Sequence, residues 1–482
     1  MFENIFNSMR KKMYDDGDAD NPLQYVETIS WIIFLKYLDN QEGEKEDEFL
    51  LQGKKYNPLL EEKFRWKNWA VPRNEQGEID HNRCITGDDL TIFINEELFP
   101  YLSSFANGDF PIQSLQYQIG KFFEKRRNLV NSGYNMRGIL EDADALAFNS
   151  QDEKDEITFL FESNLKDMGN AGRSGGKFYT PRPLIQTMVQ IINPKFGEKI
   201  YDPALGSAGF LCESYSYLID KVSNTNEMEL LQNHMLFGKE KSRLSYSLGV
   251  LNMVLHGIES PNVIRTNTLE ENIRDIQEKD RFDIILANPP FGGSENVQVR
   301  QNFKYQTGET ATLFFQHFLK SLKQNGRAAI IIKNTFMTNN DQATVAVRKE
   351  LLESCNLEIV LDLPPKSFQA GVRTVVLFFK KGAPTKSIWY YQLDPGRSLG
   401  KTNPLNSKDF EEFLSLKDTK PETERSWNLS IDTVNTENFS LEVSNPNLPE
   451  APSIRSPKEI LEEIKSLDKE NQSIFEEIEK IL

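Results

Sequence analysis

After Pro22, apolar residues recur at near-helical steps, at Leu23, Val26, Ile29, Ile33, Leu35 and Leu38, which predicts a helix with a buried face. The acidic run over residues 42–48 interrupts that pattern and is expected to be a solvated loop. Helical spacing resumes over 90–102 and 110–123, so residues 1–165 read as a mainly helical N-terminal domain. Gly169-Asn170-Ala171-Gly172-Arg173-Ser174-Gly175-Gly176 reads as a flexible connection, because small and turn-forming residues fill it. Beyond it the period changes. Short apolar runs at 199–201, 235–237, 263–265, 282–287, 328–332, 357–361 and 372–379 alternate with helix-length segments. That alternation predicts an α/β domain over residues 170–455, with a mostly parallel sheet covered on both faces.

The final segment has a different signature. Ser456-Pro457-Lys458-Glu459 combines an N-cap, a proline at the first helical position and a capping-box glutamate. Ile460, Ile464, Leu467, Asn471, Ile474, Ile478 and Ile481 then follow in alternating steps of four and three, forming one apolar seam interrupted by Asn471. Residues 456–482 are expected to be an amphipathic helix packed on a helix of a partner subunit. Docking back on the parent domain is the alternative.

Composition narrows the class. The chain has 482 residues, 27% charged and 38% hydrophobic. No stretch approaches the roughly 18 uncharged apolar residues of a membrane span, and the best candidate, 29–38, contains Lys36. The first residues lack the basic, apolar and small order of a secretory signal. Cys84, Cys212 and Cys355 are far apart, with no second Cys or His at metal-ligand spacing. These features predict a reduced, cytoplasmic protein without a bound metal or a membrane partner. The net charge of −16 argues against strong nucleic-acid binding by this chain alone, because duplex affinity comes largely from neutralised phosphates. If DNA is the substrate, a partner supplies much of the grip. Lys121, Lys125, Arg126 and Arg127 make one small basic cluster, for which phosphate contact competes with a solvated helix face.

The candidate chemistry lies in the α/β part. A strand ending at Asp202 leads into Pro203-Ala204-Leu205-Gly206-Ser207-Ala208-Gly209-Phe210. Small residues at a strand-to-helix turn let a ligand approach the backbone, and the helix start offers free amides. The spacing is not GxGxxG, and no GxxxxGK[ST] occurs, so neither a nicotinamide nor an ATP phosphate site is supported. The next strand ends at Gly238-Lys239-Glu240, whose carboxylate can accept both ribose hydroxyls of an adenosyl group. The following one ends near Asn267-Thr268-Leu269, whose amide side chain can bond an adenine edge. Three polar tips beside one crevice form a nucleoside site.

The fourth run, 282–287, leads directly into Asn288-Pro289-Pro290-Phe291. Adjacent prolines stiffen the loop and remove two backbone donors, leaving carbonyl acceptors. An exocyclic amine is a poor nucleophile because its lone pair is delocalised into the ring. The Asn288 side-chain oxygen and the Pro289 carbonyl can each accept one N–H, favouring a pyramidal nitrogen. Phe291 supplies a face on which an extruded base can stack. A sulfonium methyl is already electrophilic, so no cysteine, metal or general base is expected. His256, beside Met253 and Leu255, is read as a packing residue.

At these residues the chain resembles the modification (M) subunits of type I restriction-modification systems, within the amino-methylating DNA methyltransferases. The likeness covers nearly the whole chain. Residues 25–40 and 83–100 resemble that family's N-terminal helical domain. Gly176-Lys177-Phe178-Tyr179-Thr180-Pro181-Arg182-Pro183 resembles the element that closes over the methionine end of the cofactor. Residues 202–211 resemble its cofactor turn, 238–240 its ribose-binding tip, 251–257 the helix end that follows and Asn288-Pro289-Pro290-Phe291 its catalytic loop. Leu363-Pro364-Pro365-Lys366-Ser367-Phe368 resembles the element lining the target-base pocket, so Phe368 is a candidate to sandwich a flipped adenine opposite Phe291, with core packing as the alternative.

The resemblance implies a Rossmann-like methyltransferase that uses S-adenosyl-L-methionine to methylate N6 of adenine in double-stranded DNA. The implied cofactor contacts are Phe178, Tyr179, Thr180, Asp202, Ala204, Gly206, Gly209, Phe210, Glu240, Asn267, Thr268 and Asn288. The implied partners are a specificity (S) subunit that reads the sequence and a second M subunit, and a restriction (R) subunit can join. Three elements depart from the family pattern. Leu205 and Ala208 stand where Cys and Gly are usual, and the Ala208 methyl is expected to tighten the pocket. Asn267 replaces a common acidic residue, and Ile332-Lys333-Asn334 occupies a strand end that often holds proline. Two alternatives stay open: methylation of cytosine N4 or of a protein glutamine, which Asn-Pro-Pro-aromatic suits equally, and a catalytically impaired assembly subunit.

Overall fold

The computed structural model describes residues 2–17, 22–148, 150–170, 180–368, 371–400, 402–447 and 457–481. The periodic run after Pro22 lies in helix α2 (Pro22–Leu51), which follows α1 (Glu3–Asp15). Trp31, Ile32, Ile33 and Phe34 are consecutive and all buried, so α2 is sheathed on every side at its middle and forms the axis of the helical half. The acidic run does not end it as expected. Glu and Lys are good helix formers, and tertiary partners hold the charges. Glu42 is buried and accepts from the Tyr56 hydroxyl and, at 2.7 Å, from the Leu59 amide. Glu46 receives the buried Arg65 guanidinium at 2.9 Å.

Three further principal helices, α3 (Leu115–Phe123), α4 (Gly133–Asp144) and α5 (Gln151–Asn170), complete this half. Helix α3 begins five residues later than the periodicity over 110–123 implied. Gly169 and Asn170, expected in a flexible connection, are the last residues of α5; residues 171–176 lie outside the described residues. Two of the four basic residues at the end of α3 are engaged within the fold, while Lys125 and Arg127 are exposed. Arg126 is buried, donates to the carbonyls of Phe122 and Glu27, and burial pulls its pKa down to about 10. Lys121 pairs with Glu124 at 3.4 Å.

Among the described residues, nine strands form one sheet in the order β3-β2-β1-β4-β5-β7-β6-β8-β9. They are β1 (Ile200–Asp202), β2 (Leu236–Glu240), β3 (Asn262–Arg265), β4 (Phe282–Ala287), β5 (Leu322–Lys333), β6 (Cys355–Asp362), β7 (Thr374–Lys381), β8 (Ser387–Gln392) and β9 (Ser426–Ser430). The first five are mutually parallel, and β7 and β9 run antiparallel to their neighbours. All seven expected strands are present; β8 and β9 extend the edge. In β4, Ile284 and Leu286 join one core while Ile285 and Ala287 join the other. Helices α6 (Arg182–Ile192), α7 (Gly209–Ile219) and α8 (Arg243–Leu255) cover the first face, and α9 (Thr310–Ser321) and α10 (Gln342–Ser354) cover the second. This is the mostly parallel, doubly covered sheet the pattern predicted, in the Rossmann-like arrangement the resemblance implied. Strand order reverses between β1 and β4, which opens a crevice at their carboxyl ends.

The helical half is joined to the sheet through polar contacts, the Gln118 ones buried. Gln118 of α3 is fully buried, donates to the Val263 carbonyl at 3.1 Å and accepts from the Tyr246 hydroxyl. Arg243 reaches the Lys125 carbonyl at 2.7 Å, and Arg265 pairs with Glu124.

Helix α11 (Pro457–Ile481) starts at the expected proline; Ser456 lies outside the described residues. Its seam is not buried against the parent domain: Ile460, Ile464, Leu467, Ile474 and Ile478 are all exposed, as are Leu461 and Phe475. No helix among the described residues is long and apolar enough to cross a membrane.

Candidate active site

The turn after β1 reverses the chain through two left-handed residues, Gly206 at φ 55° and Ala208 at φ 64°. Only glycine takes such angles without strain, so side-chain and backbone bonds must hold the loop in place. The Gly206 amide donates to Glu240 Oε2 at 2.9 Å, and the Ser242 amide donates to Oε1 at 2.7 Å. Thr268 Oγ1 donates to the Pro203 carbonyl at 2.6 Å, and Asn252 Nδ2 to the Ser207 carbonyl at 2.9 Å. The tips of β2 and β3 and the middle of α8 therefore fasten one turn.

Glu240 and Thr268, expected at the cofactor, do part of their work on the backbone. Asn252 was not anticipated. Its signal was a lone buried amide in the otherwise apolar run of α8. Asn267 is also engaged locally: its Oδ1 accepts from the Leu269 amide and its Nδ2 donates to Glu270, both at 3.2 Å. An adenine edge would share that amide rather than find it free.

Asp202 sits at the tip of β1, buried, with Oδ1 accepting from the Ala204 amide at 3.0 Å. Burial pushes its pKa up to about 8, and the negative charge of Glu240 adds to the rise. Burial likewise raises Glu240, although the amides of Ser242 and Gly206 oppose this. Two carboxyl groups thus share one poorly solvated crevice.

The unusual Leu205 and Ala208 have a packing explanation. A methyl group built on Gly238 would lie 2.7 Å from Leu205 Cδ1, and one on Gly249 would lie 3.2 Å from Leu205 Cδ2. Those glycines of β2 and α8 clear a socket for the leucine. Ala208 is fully buried, with Cβ 3.5 Å from where a Gly249 methyl would stand. Its methyl therefore faces α8, which corrects the expectation that it narrows the pocket. At Gly209 a Cβ would fall 2.8 Å from Ile185 Cδ1, so α6 and α7 approach closely there. Phe210 is buried in the core, while Ala204 is half-buried.

Across the crevice, β4 ends at Ala287 and delivers Asn288-Pro289-Pro290-Phe291. Asn288 Nδ2 donates to Thr180 Oγ1 at 3.0 Å. Its Oδ1 is buried and accepts no hydrogen bond among the described residues. Pro289 is buried, and Pro290 and Phe291 are half-buried. Phe178 and Tyr179 lie outside the described residues.

The Phe291 and Phe368 rings meet edge to face, 5.2 Å between centroids at 84°. The expected pair is brought together, but touching rings leave no slot for a base, so a sandwich requires them to separate. Phe368 ends a tight turn after β6, in which Lys366 is left-handed and Ser367 donates to the Pro364 carbonyl.

His256 is structural as read. Its Nδ1 lies 2.8 Å from the Asn252 carbonyl, so Nδ1 carries the proton and Nε2 accepts from Arg182 at 2.9 Å. Lys333, at the strand end that departs from the family pattern, pairs with Glu309 at 2.7 Å. Among the described residues no group of three His, Cys, Asp or Glu side chains is arranged to hold a metal.

Comparison with known proteins places this architecture. A family described as the HsdM N-terminal domain matches residues 3–154, and one described as N-6 DNA methylase matches 152–453. The chain is 32% identical to the methylase subunit of the type I restriction enzyme EcoEI from Escherichia coli, across 99% of this chain and 97% of that one. The EcoKI methylase subunit of Escherichia coli K12 is 31% identical over 58% of this chain and 57% of its own length. A modification subunit from Vibrio vulnificus YJ016 superposes with a TM-score of 0.81 at 32% identity, over 92% of this chain and 96% of that one. A chain from a structural study of assembly in a type I restriction-modification system covers 100% of this chain and 99% of its own length, at 33% identity and a TM-score of 0.78. With both halves matched and a likeness that runs end to end, the chain belongs to the modification (M) subunits of type I restriction-modification systems, in the N-6 DNA methylase family.

Proposed function

We propose that this M subunit transfers a methyl group from S-adenosyl-L-methionine to N6 of an adenine flipped out of duplex DNA. The observation that carries the reading is Asn288 Oδ1, a buried acceptor at the crevice with no donor among the described residues. An unpaired buried polar atom costs about 1–3 kcal/mol, and an incoming amine N–H relieves that cost.

The residues fit the cofactor by charge and by shape. When bound, it supplies a methyl group activated by a sulfonium. Asp202 gives a buried carboxyl at the tip of β1, suited to an ammonium group. Gly206 leaves backbone accessible in the turn, and Glu240 offers remaining lone pairs to ribose hydroxyls. Ala204, Asn267, Thr268, Phe178, Tyr179 and Thr180 belong to the same proposed contact set. Gly209 and Phe210 act from beneath, through the packing of α7.

The rest of the chemistry belongs to the loop. Asn288 Oδ1 and the Pro289 carbonyl each accept one amine hydrogen, which turns the nitrogen lone pair out of conjugation and holds it for attack. The surplus proton leaves the product nitrogen afterwards, so no carboxylate base is invoked. Phe291 stacks on the base once the Phe291–Phe368 contact opens, which offsets part of the few kcal/mol needed to flip it. The exposed seam of α11 packs on a helix of the specificity subunit, within a cytoplasmic complex that also holds a second M subunit and, where cleavage occurs, a restriction subunit.

The test is to methylate duplex DNA with the assembled complex, digest it to nucleosides and identify the product by mass. N6-methyladenine is expected. N4-methylcytosine would overturn the adenine reading. Unmodified DNA, with methyl transfer instead to protein glutamine or to nothing, would overturn DNA methylation as the activity.

A further inference from the structure

Asn288 has two chemically opposite ends, and only one suits an amine. An oxygen facing the base accepts its N–H, whereas an NH2 facing it sets donor against donor. The two orientations differ by a half-turn of the terminal amide and fill nearly the same volume, so packing alone selects weakly between them. Something must hold the nitrogen.

Thr180 Oγ1 lies 3.0 Å from Asn288 Nδ2, on the side away from the unpaired oxygen. It is the first described residue before α6, whose N-terminus is itself fastened: Arg182 bonds His256 Nε2 at 2.9 Å and pairs with Glu213 at 3.3 Å. The acceptor is therefore carried on an anchored segment of backbone. Asn288 in turn follows a strand paired on both sides, β1 on one edge and β5 on the other. A hydroxyl and an amide are thus held at hydrogen-bond distance by two rigid elements far apart in sequence.

Resting on the adenine reading above, we infer that Thr180 is a positioning residue that anchors the Asn288 amide nitrogen so that the amide oxygen faces the target amine. It touches the reacting base only through Asn288. Loss of the anchor leaves the amide free to turn over and present its hydrogens to the amine, which slows transfer without removing the cofactor turn.

The test compares Thr180→Val, which keeps the shape but not the acceptor, with Thr180→Ser, which keeps the hydroxyl. Single-turnover methyl transfer is measured in the assembled complex with saturating cofactor, alongside the cofactor dissociation constant by calorimetry. Extrusion of 2-aminopurine placed at the target position is followed by fluorescence. Thr180→Val is expected to slow transfer about tenfold, the scale of one hydrogen bond in a barrier. It should also reduce the extruded fraction, both read at saturating cofactor, where any weakening of cofactor binding through Thr180 does not enter. Thr180→Ser should restore most of both losses. A wild-type rate for Thr180→Val, failure of the serine to rescue, or a loss explained wholly by weaker cofactor binding would overturn the inference. The underlying reading is judged separately by Asn288→Ala: if that variant is inactive while Thr180→Val is normal, only the positioning role fails.

Discussion

The Gly206 amide donates to Glu240 Oε2 at 2.9 Å, so the tip of β2 holds the turn after β1 through the same carboxylate proposed to take the ribose. One group has both a structural and a binding task. Glu240→Gln keeps one oxygen and sets an NH2 against a backbone N–H. Charge-assisted bonds of this kind contribute about 1.5–3 kcal/mol. The variant should lose about 2 kcal/mol of stability, read by denaturant unfolding, and bind cofactor more weakly. Unchanged unfolding would show that the turn does not depend on the carboxylate.

Asp202 should make both stability and cofactor affinity depend on pH. Its folded pKa of about 8 exceeds the ordinary aspartate value, so the folded chain holds a proton that the unfolded chain has released. Stability contributed by this group therefore falls as pH rises from the unfolded value toward 8. Asp202→Asn should raise the melting temperature by several degrees at about pH 9 and by less at about pH 5. A cationic ligand favours the ionised carboxyl. Cofactor binding should release up to one proton near neutrality and strengthen as pH rises to about 8, measured by calorimetry in buffers of different ionisation enthalpy. Uptake of a proton, or a flat profile, would contradict this.

Asn288→Ala should lower methyl transfer by a factor of about 100 or more, the loss typical when one oriented polar group is removed from a reacting centre. Its contact is to the base, so the cofactor dissociation constant should stay within about twofold of the parent. A turnover rate near that of the parent would remove the residue from the mechanism.

Removing residues 456–482 should leave the thermal unfolding of the remaining chain nearly unchanged, since the seam of α11 is not buried against the parent domain. Co-elution with the specificity subunit should be lost or sharply reduced. An unaltered size-exclusion profile of the mixed subunits would show that the helix is not the joint.

Much of this was legible because it depends on local periodicity. Runs at 282–287 and 357–361 read as strands for the same reason they are buried on both faces. The reading failed where tertiary partners decide. Glu42 and Glu46 looked like loop residues until Tyr56, Leu59 and Arg65 met them from distant segments. Ala208 looked like a pocket residue because the family pattern shows only which position changed, not which way a side chain points. The space cleared at Gly238 and Gly249 is a matter of packing between β2 and α8, which spacing in one segment cannot reveal. At the proposed catalytic loop the residue types were plain, but the bond from Asn288 to Thr180 spans 108 positions and needed the fold.

The terminal helix carries one more consequence. Over residues 457–482 it has eight acidic side chains and four lysines beside its apolar seam. Two copies brought side by side would set like charge against like, which coiled-coil pairing disfavours. A partner helix with basic flanks would meet attraction instead. If two M subunits share one assembly as proposed, this surplus of acidic charge works against their joining each other through these helices.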